Sequence, residues 1–177
     1  VGTDIAAVWD PDGVLNLDRD WTLEAWVNFS SNFDGERDVV FYYGHSGNGY
    51  SLSLNYLEGN KLQVSTLGIA ELPSITATVE PDVWQHVAVA HKSGESITYF
   101  INGIQSGTRA YTGGTRPALT TKVLYIGAES DGAFPFTGSI DRIRISNSAL
   151  TASQLDSDPL NPAVIVPALR LAIGRSQ

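Results

Sequence analysis

Acidic and amide side chains recur at every second position in one loop of the sequence. Asn32, Asp34, Glu36 and Asp38 place four oxygen-bearing side chains around Gly35. Calcium takes about six to eight oxygen ligands in an irregular geometry, so alternating donors on a glycine-containing loop suit it. The spacing lacks the glycine position and the terminal glutamate of an EF-hand loop. The loop therefore predicts either a calcium site, with Asp34 and Asp38 as candidate ligands, or a solvated loop.

A second acidic group lies in a short stretch with two phenylalanines. Glu129 and Asp131 are followed by Gly132, Phe134 and Phe136. Asp131 can contribute to a cation site or bind a sugar hydroxyl, or it can cap a simple turn, because Asp before Gly is common turn chemistry. Both interpretations stay open at this point.

Aromatic side chains supply the other chemistry that the sequence offers. A sugar site needs a flat apolar ring against the pyranose C–H groups and fixed partners for the hydroxyls. Trp26 has the parity of Glu24 and Asn28 in its segment, so it either projects from the second face of a sheet or packs within the fold. His45 and Asn48 lie in a polar, glycine-rich loop that either approaches a ligand or only joins two strands. The candidate rings for stacking are Trp26, Tyr42, Tyr43, Tyr111 and Phe134.

Motifs for common enzyme chemistry are absent from the sequence. It has no G-x-S-x-G nucleophile turn, no H-E-x-x-H zinc motif and no glycine loop of the Walker type. Cysteine is also absent, which excludes disulfides, thiol catalysis and a zinc–thiolate site.

Strands must position these candidates, because short alternating segments run through the chain. Thr22–Phe29 alternates apolar and polar side chains, which predicts a strand with one buried face. Tyr50–Tyr56 alternates with Ser51 and Ser53, as expected for a strand with one face in water. Leu62–Thr66 continues the pattern.

A hairpin is the clearest local signal. Trp84–His91 and Ser96–Ile101 are predicted strands, and Asn102-Gly103 then supplies the positive backbone angles that a two-residue hairpin loop requires. We expect roughly a dozen strands in all. The remaining predicted strands are Ile104–Ser106, Val123–Gly127 and Gly138–Ser146.

The end of the sequence changes character. Thr151–Gln154 matches a capping box, which predicts one short helical turn that closes a domain spanning residues 1–155. Asp156–Pro162 is rich in Pro, Asp and Asn, as linkers are. The tail Ala163–Gln177 is either the start of a following module or a segment that packs back on the domain.

Length and composition favour a single all-β domain. The chain has 177 residues, of which 42% are hydrophobic, with 17 glycines and 8 prolines to form turns. The formal net charge of -8 repels the phosphate backbone, so we expect no nucleic-acid partner. No apolar run reaches the length of a membrane span, so we expect no membrane insertion.

Three segments together resemble the laminin-G-like family in its bacterial LamG type 3 form, within the concanavalin A-like lectin/glucanase superfamily. The segments are Trp21–Val27 (W-T-L-E-A-W-V), Trp84–Gly103 (W-Q-H-V-A-V-A … I-T-Y-F-I-N-G) and Leu124–Leu150 (L-Y-I-G-A … F-T-G-S-I-D-R-I-R-I-S-N-S-A-L). The resemblance covers about Ile5–Leu155. It implies a jelly-roll β-sandwich of two antiparallel sheets with loops gathered along the rim.

The resemblance also implies residue roles. Asp141 occupies the Asp of G-x-I-D-x-x-R-I, and in related jelly rolls an Asp near this last strand can ligate calcium. The alternatives are a salt bridge to Arg142 or Arg144 and a hydrogen bond to the neighbouring strand. Trp84 and His86 form the W-x-H motif, which indicates structural residues. Such modules occur in secreted or surface proteins and bind glycans or proteins, often with calcium.

Glycoside hydrolases share this fold and need paired carboxylates. The laminarinase-like branch carries E-x-D-x-x-E, and here Glu129 and Asp131 match while Phe134 replaces the third acid. We therefore expect a non-catalytic extracellular binding or adhesion module that recognises carbohydrate. The alternatives are a protein-interaction or spacer domain of a larger surface protein and, less favoured, a glycoside hydrolase.

Overall fold

The computed structural model describes residues 6–9, 19–31, 37–45, 48–54, 60–66, 70–111 and 123–156. Within these ranges the chain forms eleven strands and one short 3-10 turn. The strands are β1 (Ala6–Trp9), β2 (Trp21–Phe29), β3 (Asp38–His45), β4 (Asn48–Leu54), β5 (Lys61–Thr66), β6 (Ala70–Thr78), β7 (Trp84–Lys92), β8 (Ser96–Ile101), β9 (Ile104–Ala110), β10 (Val123–Ile126) and β11 (Gly138–Ser146), and the turn is Ala152–Gln154.

The strands form two antiparallel sheets. A six-stranded sheet has the order β1-β10-β3-β4-β5-β6, and a five-stranded sheet has the order β11-β2-β7-β8-β9. Pairing of β1 with β10 and of β11 with β2 joins segments that are distant in sequence. The predicted all-β fold of two antiparallel sheets is confirmed.

The two sheets enclose one apolar core. Alternation places Leu23 and Val27 of β2, Leu52 of β4 and Val64 of β5 on inward faces, and all four are fully buried. Burial of such side chains is the main favourable contribution to folding, at roughly 1.5–3 kcal/mol for each. The inward faces predicted for β2 and β4 are therefore confirmed.

The outward faces differ from the sequence expectation. The second face of β2 is also buried, with Glu24 only 1% exposed. Ser51 and Ser53 of β4, expected in water, are fully buried as well. Each is paired across the sheet with a larger residue, Ser51 with Tyr42 and Ser53 with Gln63. A serine between larger neighbours retains little accessible surface, so this prediction was wrong.

The predicted hairpin forms between β8 and β9. Asn102 and Gly103 adopt φ angles of 50° and 74°, the left-handed pair that such a loop needs. The Asn102 Oδ1 atom accepts a hydrogen bond from the His86 backbone N–H at 2.9 Å, and the Asn102 N–H donates to the His86 carbonyl at 2.8 Å. The N-G pair therefore fixes the loop against β7 as well as reversing the chain.

Strand β11 is irregular where it crosses β2. A Cβ atom on Gly138, at φ 150°, would come within 2.1 Å of the Asn28 carbonyl oxygen, so only glycine permits this pairing. The register then shifts between Asp141 and Arg144, and Arg142 adopts φ 46°. Such a bulge changes the direction of the side chains around it.

Residues 147–156, here termed the C-terminal segment, cover part of the five-stranded sheet on the side away from the core. The capping box forms, with the Thr151 N–H donating to Gln154 Oε1 at 2.9 Å. Leu150 and Leu155 cluster with Ala88 and Phe100 on the outer face of the sheet. Residues 157–177 lie outside the described part, so the linker and tail remain predictions.

Candidate functional site

A buried polar network lies on the outer face of the five-stranded sheet. Glu24 of β2 accepts hydrogen bonds from Nε of Arg144 on β11 and pairs with His86 of β7, whose Nε2 lies 2.8 Å from Glu24 Oε2. All three side chains are at most 3% exposed. His86 therefore occupies the framework position that the W-x-H motif predicts.

The same network attaches the C-terminal segment. Glu24 Oε2 accepts the Asp156 N–H at 2.9 Å, and Nη2 of Arg144 donates to the Gln154 carbonyl at 2.8 Å. Burial alone would raise the pKa of Glu24, but hydrogen bonds from His86 and Arg144 outweigh it and hold the pKa below its ordinary value. Glu24 is therefore a charged anchor for the cover of the sheet.

Trp26 and Asp141 lie next to this network. The Trp26 ring is 7% exposed, and its Nε1–H donates to the Asp156 carbonyl at 3.3 Å. The Arg142 guanidinium lies 4.8 Å from the ring centroid. Asp141 is exposed, and its Oδ1 accepts the Arg142 N–H at 2.7 Å. The position of Trp26 favours packing; its role in ligand binding remains a prediction.

A second group, here termed the rim cluster, consists of Arg37, Tyr42, Glu129, Asp131 and Phe134. It joins the start of β3 to the loop between β10 and β11. Arg37 forms an ion pair with Glu129, and its guanidinium carbon lies 4.1 Å from the centroid of the Phe134 ring. Tyr42 lies at the same place, because its side chain hydrogen-bonds Ser130 and senses the charges of Glu129 and Asp131.

The loop between β10 and β11, here termed the rim loop, has a backbone that is held by several hydrogen bonds. Phe134 adopts φ 51°, which is uncommon for a bulky residue and marks a conformation imposed by its surroundings. Its carbonyl accepts the Val39 N–H at 3.2 Å, and Oδ1 of Asp38 accepts the Thr137 N–H at 2.5 Å. Oδ1 of Asp131 accepts the Ala133 N–H at 3.0 Å, which is the turn-capping role considered for it.

The electrostatics of the rim cluster are perturbed. Burial raises the pKa of Glu129, with Asp131 adding to the effect and Arg37 opposing it. Burial and the Glu129 charge also raise the pKa of Tyr42. Perturbed groups gathered beside a partly exposed aromatic ring are a feature of functional sites. Three candidate residues from the sequence, Tyr42, Asp131 and Phe134, belong to the rim cluster, and Asp38 accepts a hydrogen bond from Thr137 of the same loop.

Two other aromatic candidates lie in the core. Tyr43 is fully buried and Tyr111 is 5% exposed. Tyr43 contacts the Tyr50 ring at 5.3 Å between centroids, and Tyr111 contacts His91 edge-on at 5.8 Å. In these positions neither ring presents a face to a ligand. Their role in binding remains a prediction that their burial does not favour.

The loop candidates are only partly described. Backbone pairing of His45 with Asn48 closes the β3–β4 hairpin, which fits the connecting role considered for this loop. The side chains of His45 and Asn48 lie outside the described part of the structure, as does Asp34.

The described residues do not assemble a calcium site. Asp38, Asp131 and Asp141 each accept a hydrogen bond from a backbone N–H. Within the described ranges no group of three or more His, Asp or Glu side chains could share a metal ion. Residues 32–36, the predicted partners of Asp38, lie outside the described part, so calcium binding by Asp34, Asp38, Asp131 and Asp141 remains a prediction.

One aromatic residue that the sequence predicts to be structural is exposed. Trp84, expected to be structural, is 45% exposed, whereas Trp21 is fully buried. Trp84 is the first residue of β7 and is paired with Asn28. The strand alternation that places His86 on the outer face also places Trp84 there. In the sequence, the parity of Trp84 with His86 and its position at the start of the strand are the features that indicate this exposure.

Comparison with known proteins identifies the family. A family model of the concanavalin A-like lectin/glucanases superfamily, Laminin_G_3, matches residues 2–156, and the chain belongs to this family. No curated protein matches the sequence. Among the described residues no helix is long and apolar enough to cross a membrane.

Solved structures with a similar fold include three proteins of diverse origin. A proposed carbohydrate-binding protein from Bacteroides ovatus is 19% identical, with a TM-score of 0.70 over 98% of this chain and 50% of that one. An SAP-like pentraxin from Limulus polyphemus is 18% identical, with a TM-score of 0.62 over 77% of this chain and 67% of that one. Botulinum neurotoxin type C, which depends on two ganglioside molecules to reach the cell interior, is 13% identical, with a TM-score of 0.59 over 85% and 38%. The chain therefore spans only part of each relative, and the likeness concerns the fold.

Proposed function

We propose that this chain is a non-catalytic carbohydrate-binding module of a secreted or surface protein, with the rim cluster as its ligand site. One observation carries the proposal. The partly exposed Phe134 ring is held in a fixed position against Arg37, and Glu129 and Asp131 lie beside it. A fixed ring with charged hydrogen-bonding groups around it matches what sugar recognition requires.

The relatives support this class of function. The Bacteroides protein is described as carbohydrate-binding, and the neurotoxin interacts with gangliosides, which carry sugar headgroups. Both are binding proteins of the same fold, although fold alone does not determine a ligand.

The charged residues of the rim cluster favour binding over hydrolysis. Glu129 forms an ion pair with Arg37, and Asp131 caps its own turn through Ala133. A glycoside hydrolase needs one carboxyl group to donate a proton and a second to attack the sugar or activate water. Burial raises the pKa of Glu129, as a proton donor requires, but its carboxylate is paired with Arg37. Asp131, the second acid, caps its own turn, so we favour binding over hydrolysis.

A protein-interaction or spacer domain is the second candidate. Burial of Tyr43, Tyr111 and Trp26 favours it, because these rings stabilise the fold and leave fewer stacking surfaces. The two candidates differ in whether exposed aromatic residues contribute to glycan binding.

A glycan array with the purified protein, with and without EDTA, tests the proposal. Phe134→Gly removes the ring while permitting the positive φ of this position, so the loop should keep its shape. We expect the variant to lose array binding with little change in melting temperature. Arg37→Gln should weaken binding in the same way. Array binding that Phe134→Gly leaves unchanged would exclude the rim cluster, and no binding to any glycan would leave the spacer role.

A further inference from the structure

The C-terminal segment covers only one part of the outer face of the five-stranded sheet. Its contacts lie at Thr22, whose Oγ1 donates to the Ser148 carbonyl at 2.8 Å, and at Glu24. Further along the same strands, Ser139 of β11, Asn28 of β2 and Trp84 of β7 form one row across three strands. We term these three residues the Trp84 surface.

The Trp84 surface faces away from the core. Trp84 has the parity of His86, and Asn28 has the parity of Trp26. The Trp26 and His86 rings contact each other edge-on at 5.8 Å between centroids, so both strands direct these side chains to the outer face. An indole that is 45% exposed therefore stands on a sheet face that is covered elsewhere.

Exposed apolar side chains concentrate at this end of the sheet. Besides Trp84, the large hydrophobic residues exposed in the described ranges are Val83 at 47% and Ile104 at 71%. Val83 precedes β7, and Ile104 follows the hairpin loop that is hydrogen-bonded to His86. A single exposed apolar residue is ordinary, whereas several at one end of a sheet indicate a binding surface.

Polar groups on rigid strands accompany the indole. The side chains of Asn28 and Ser139 are partly exposed and make no hydrogen bond to the described residues. Asp141, two residues beyond Ser139, is exposed on the same face beside Trp26. An aromatic ring with amide, hydroxyl and carboxylate groups on neighbouring strands is suited to a pyranose ring, because one sugar face is apolar and its edges carry hydroxyls.

We propose that the Trp84 surface binds an uncharged glycan, with a pyranose ring stacked on Trp84 and its hydroxyls bonded by Asn28, Ser139 and Asp141. Charge favours a neutral ligand. Asp141 lies on one side, and Asp82, whose N–H donates to the Phe29 carbonyl at the end of β2, lies on another. The Arg142 guanidinium over the Trp26 ring offsets Asp141 in part, but Asp82 and the net charge of -8 disfavour sialic and uronic acids, while sugar hydroxyls donate readily to carboxylates.

This site is separate from the rim cluster and shares with the proposed function only the class of ligand. The test measures binding of neutral β-glucan, galactomannan and xylan, and of the acidic polygalacturonate, by affinity electrophoresis. Wild type is compared with Trp84→Ala, with Phe134→Gly and with Lys92→Ala, a control that removes an exposed side chain at the opposite end of β7. We expect Trp84→Ala to weaken binding of a neutral polysaccharide roughly tenfold or more while Lys92→Ala does not, because a stacked ring dominates such a contact.

A measurement on the unmodified protein complements the variants. N-bromosuccinimide oxidises exposed indoles first, and peptide mapping by mass spectrometry identifies the oxidised tryptophan. We expect Trp84 to react before Trp21 and Trp26, and to be protected by the neutral polysaccharide. This readout holds even if Trp84→Ala folds poorly.

The outcomes separate the two sites. Loss of neutral-polysaccharide binding in Trp84→Ala but not in Phe134→Gly supports the Trp84 surface, and loss in Phe134→Gly alone overturns it. The rim cluster is judged separately, by the effect of Phe134→Gly on the glycan array. Absence of any neutral glycan binding overturns the present proposal. Self-association or capture of a protein partner that Trp84→Ala abolishes, without glycan protection of Trp84, overturns it as well.

Discussion

Glu24 and His86 form a buried pair, with Oε2 of one 2.8 Å from Nε2 of the other and both side chains 1% exposed. The pair joins the central strand β7 of the five-stranded sheet to its neighbour β2, on the face that the C-terminal segment covers. A buried charged group, rather than an apolar contact, therefore holds the C-terminal segment on the sheet. Removal of the Glu24 carboxylate should leave the buried His86 and Arg144 side chains without their acceptor.

Glu24→Gln should lower the free energy of unfolding by about 3–5 kcal/mol at pH 7, because Arg144 remains buried without its counter-charge. Urea denaturation measures this change. The exposed pair of Lys92 and Asp20 is a matched control, with side chains 48% and 33% exposed. Lys92→Ala should cost less than about 1 kcal/mol. Equal losses in the two variants would contradict the role of the buried anchor.

Acid should unfold the protein partly through Glu24. Its pKa is held below the ordinary value of 4.5, so its contribution to stability is present above pH 4.5 and is lost as pH falls through the lower folded pKa. In Glu24→Gln this dependence should disappear, and the stability curve below pH 4.5 should flatten. Denaturation midpoints of both proteins from pH 6 to pH 3 test this. An unchanged pH dependence of stability in Glu24→Gln would show that another group is responsible.

The sequence predicts the fold best where alternation is regular and turn chemistry is specific. The alternation of apolar and polar residues predicts strand β2, and the N-G pair at Asn102 predicts the hairpin, because both patterns follow local rules. Strand β3 (Asp38–His45) has a continuous apolar run with a register shift between Val39 and Phe41, and β6 contains Pro73, so neither has a clear period.

The site was less predictable than the fold. Asp131 and Phe134 were recognised, but their meeting with Arg37 depends on contacts between segments nearly a hundred residues apart. Trp84 was interpreted as structural because it belongs to a motif. Its exposure depends on how far the C-terminal segment extends across the sheet, which no local pattern encodes.

A histidine in the core should make stability sensitive to mild acid. His91 is fully buried between Trp21 and Tyr111, and its Nδ1–H donates to the Arg19 carbonyl at 2.8 Å. Burial lowers the pKa of His91 from 6.5, although the hydrogen bond to Arg19 opposes this effect. Stability is therefore complete above pH 6.5 and falls as the pH drops through the folded pKa.

His91→Phe should flatten the pH dependence between pH 7.5 and 5, because the ring contacts persist without a titrating group. Urea midpoints at three pH values in this range measure the effect. A variant with the slope of wild type would show that His91 does not titrate on unfolding in this window.

The Asn102 side chain should matter through its oxygen. Asn102→Ala leaves the His86 N–H without its acceptor and places a Cβ-only residue at φ 50°, so a loss of about 1–2 kcal/mol is expected. Asn102→Asp keeps an acceptor at the same place and should retain most of the stability. Thermal denaturation measures both variants. Equal losses of stability would show that the side-chain oxygen does not stabilise the loop.

Calcium binding can be tested independently of glycan binding. Asp141 already accepts the Arg142 N–H, and among the described residues it belongs to no group of three or more His, Asp or Glu side chains that could hold a metal ion. Asp141→Asn should therefore leave any calcium-dependent rise in melting temperature unchanged. Asp34→Asn should remove such a rise if the loop around Asp34 binds the ion. A calcium response abolished by Asp141→Asn would instead support the role that the family resemblance implies.

The predicted domain boundary near residue 155 can be tested by truncation. Asp156 is the last described residue, and its backbone contacts both Glu24 and Trp26. A chain that ends at residue 156 should keep its free energy of unfolding within about 0.5 kcal/mol of the full chain, as expected when no essential contact is lost. Leu150→Ala and Leu155→Ala, which remove contacts with Ala88 and Phe100, should each cost about 2–5 kcal/mol. If the shortened chain were destabilised as strongly as these variants, residues 157–177 would belong to the domain and would have to pack on it.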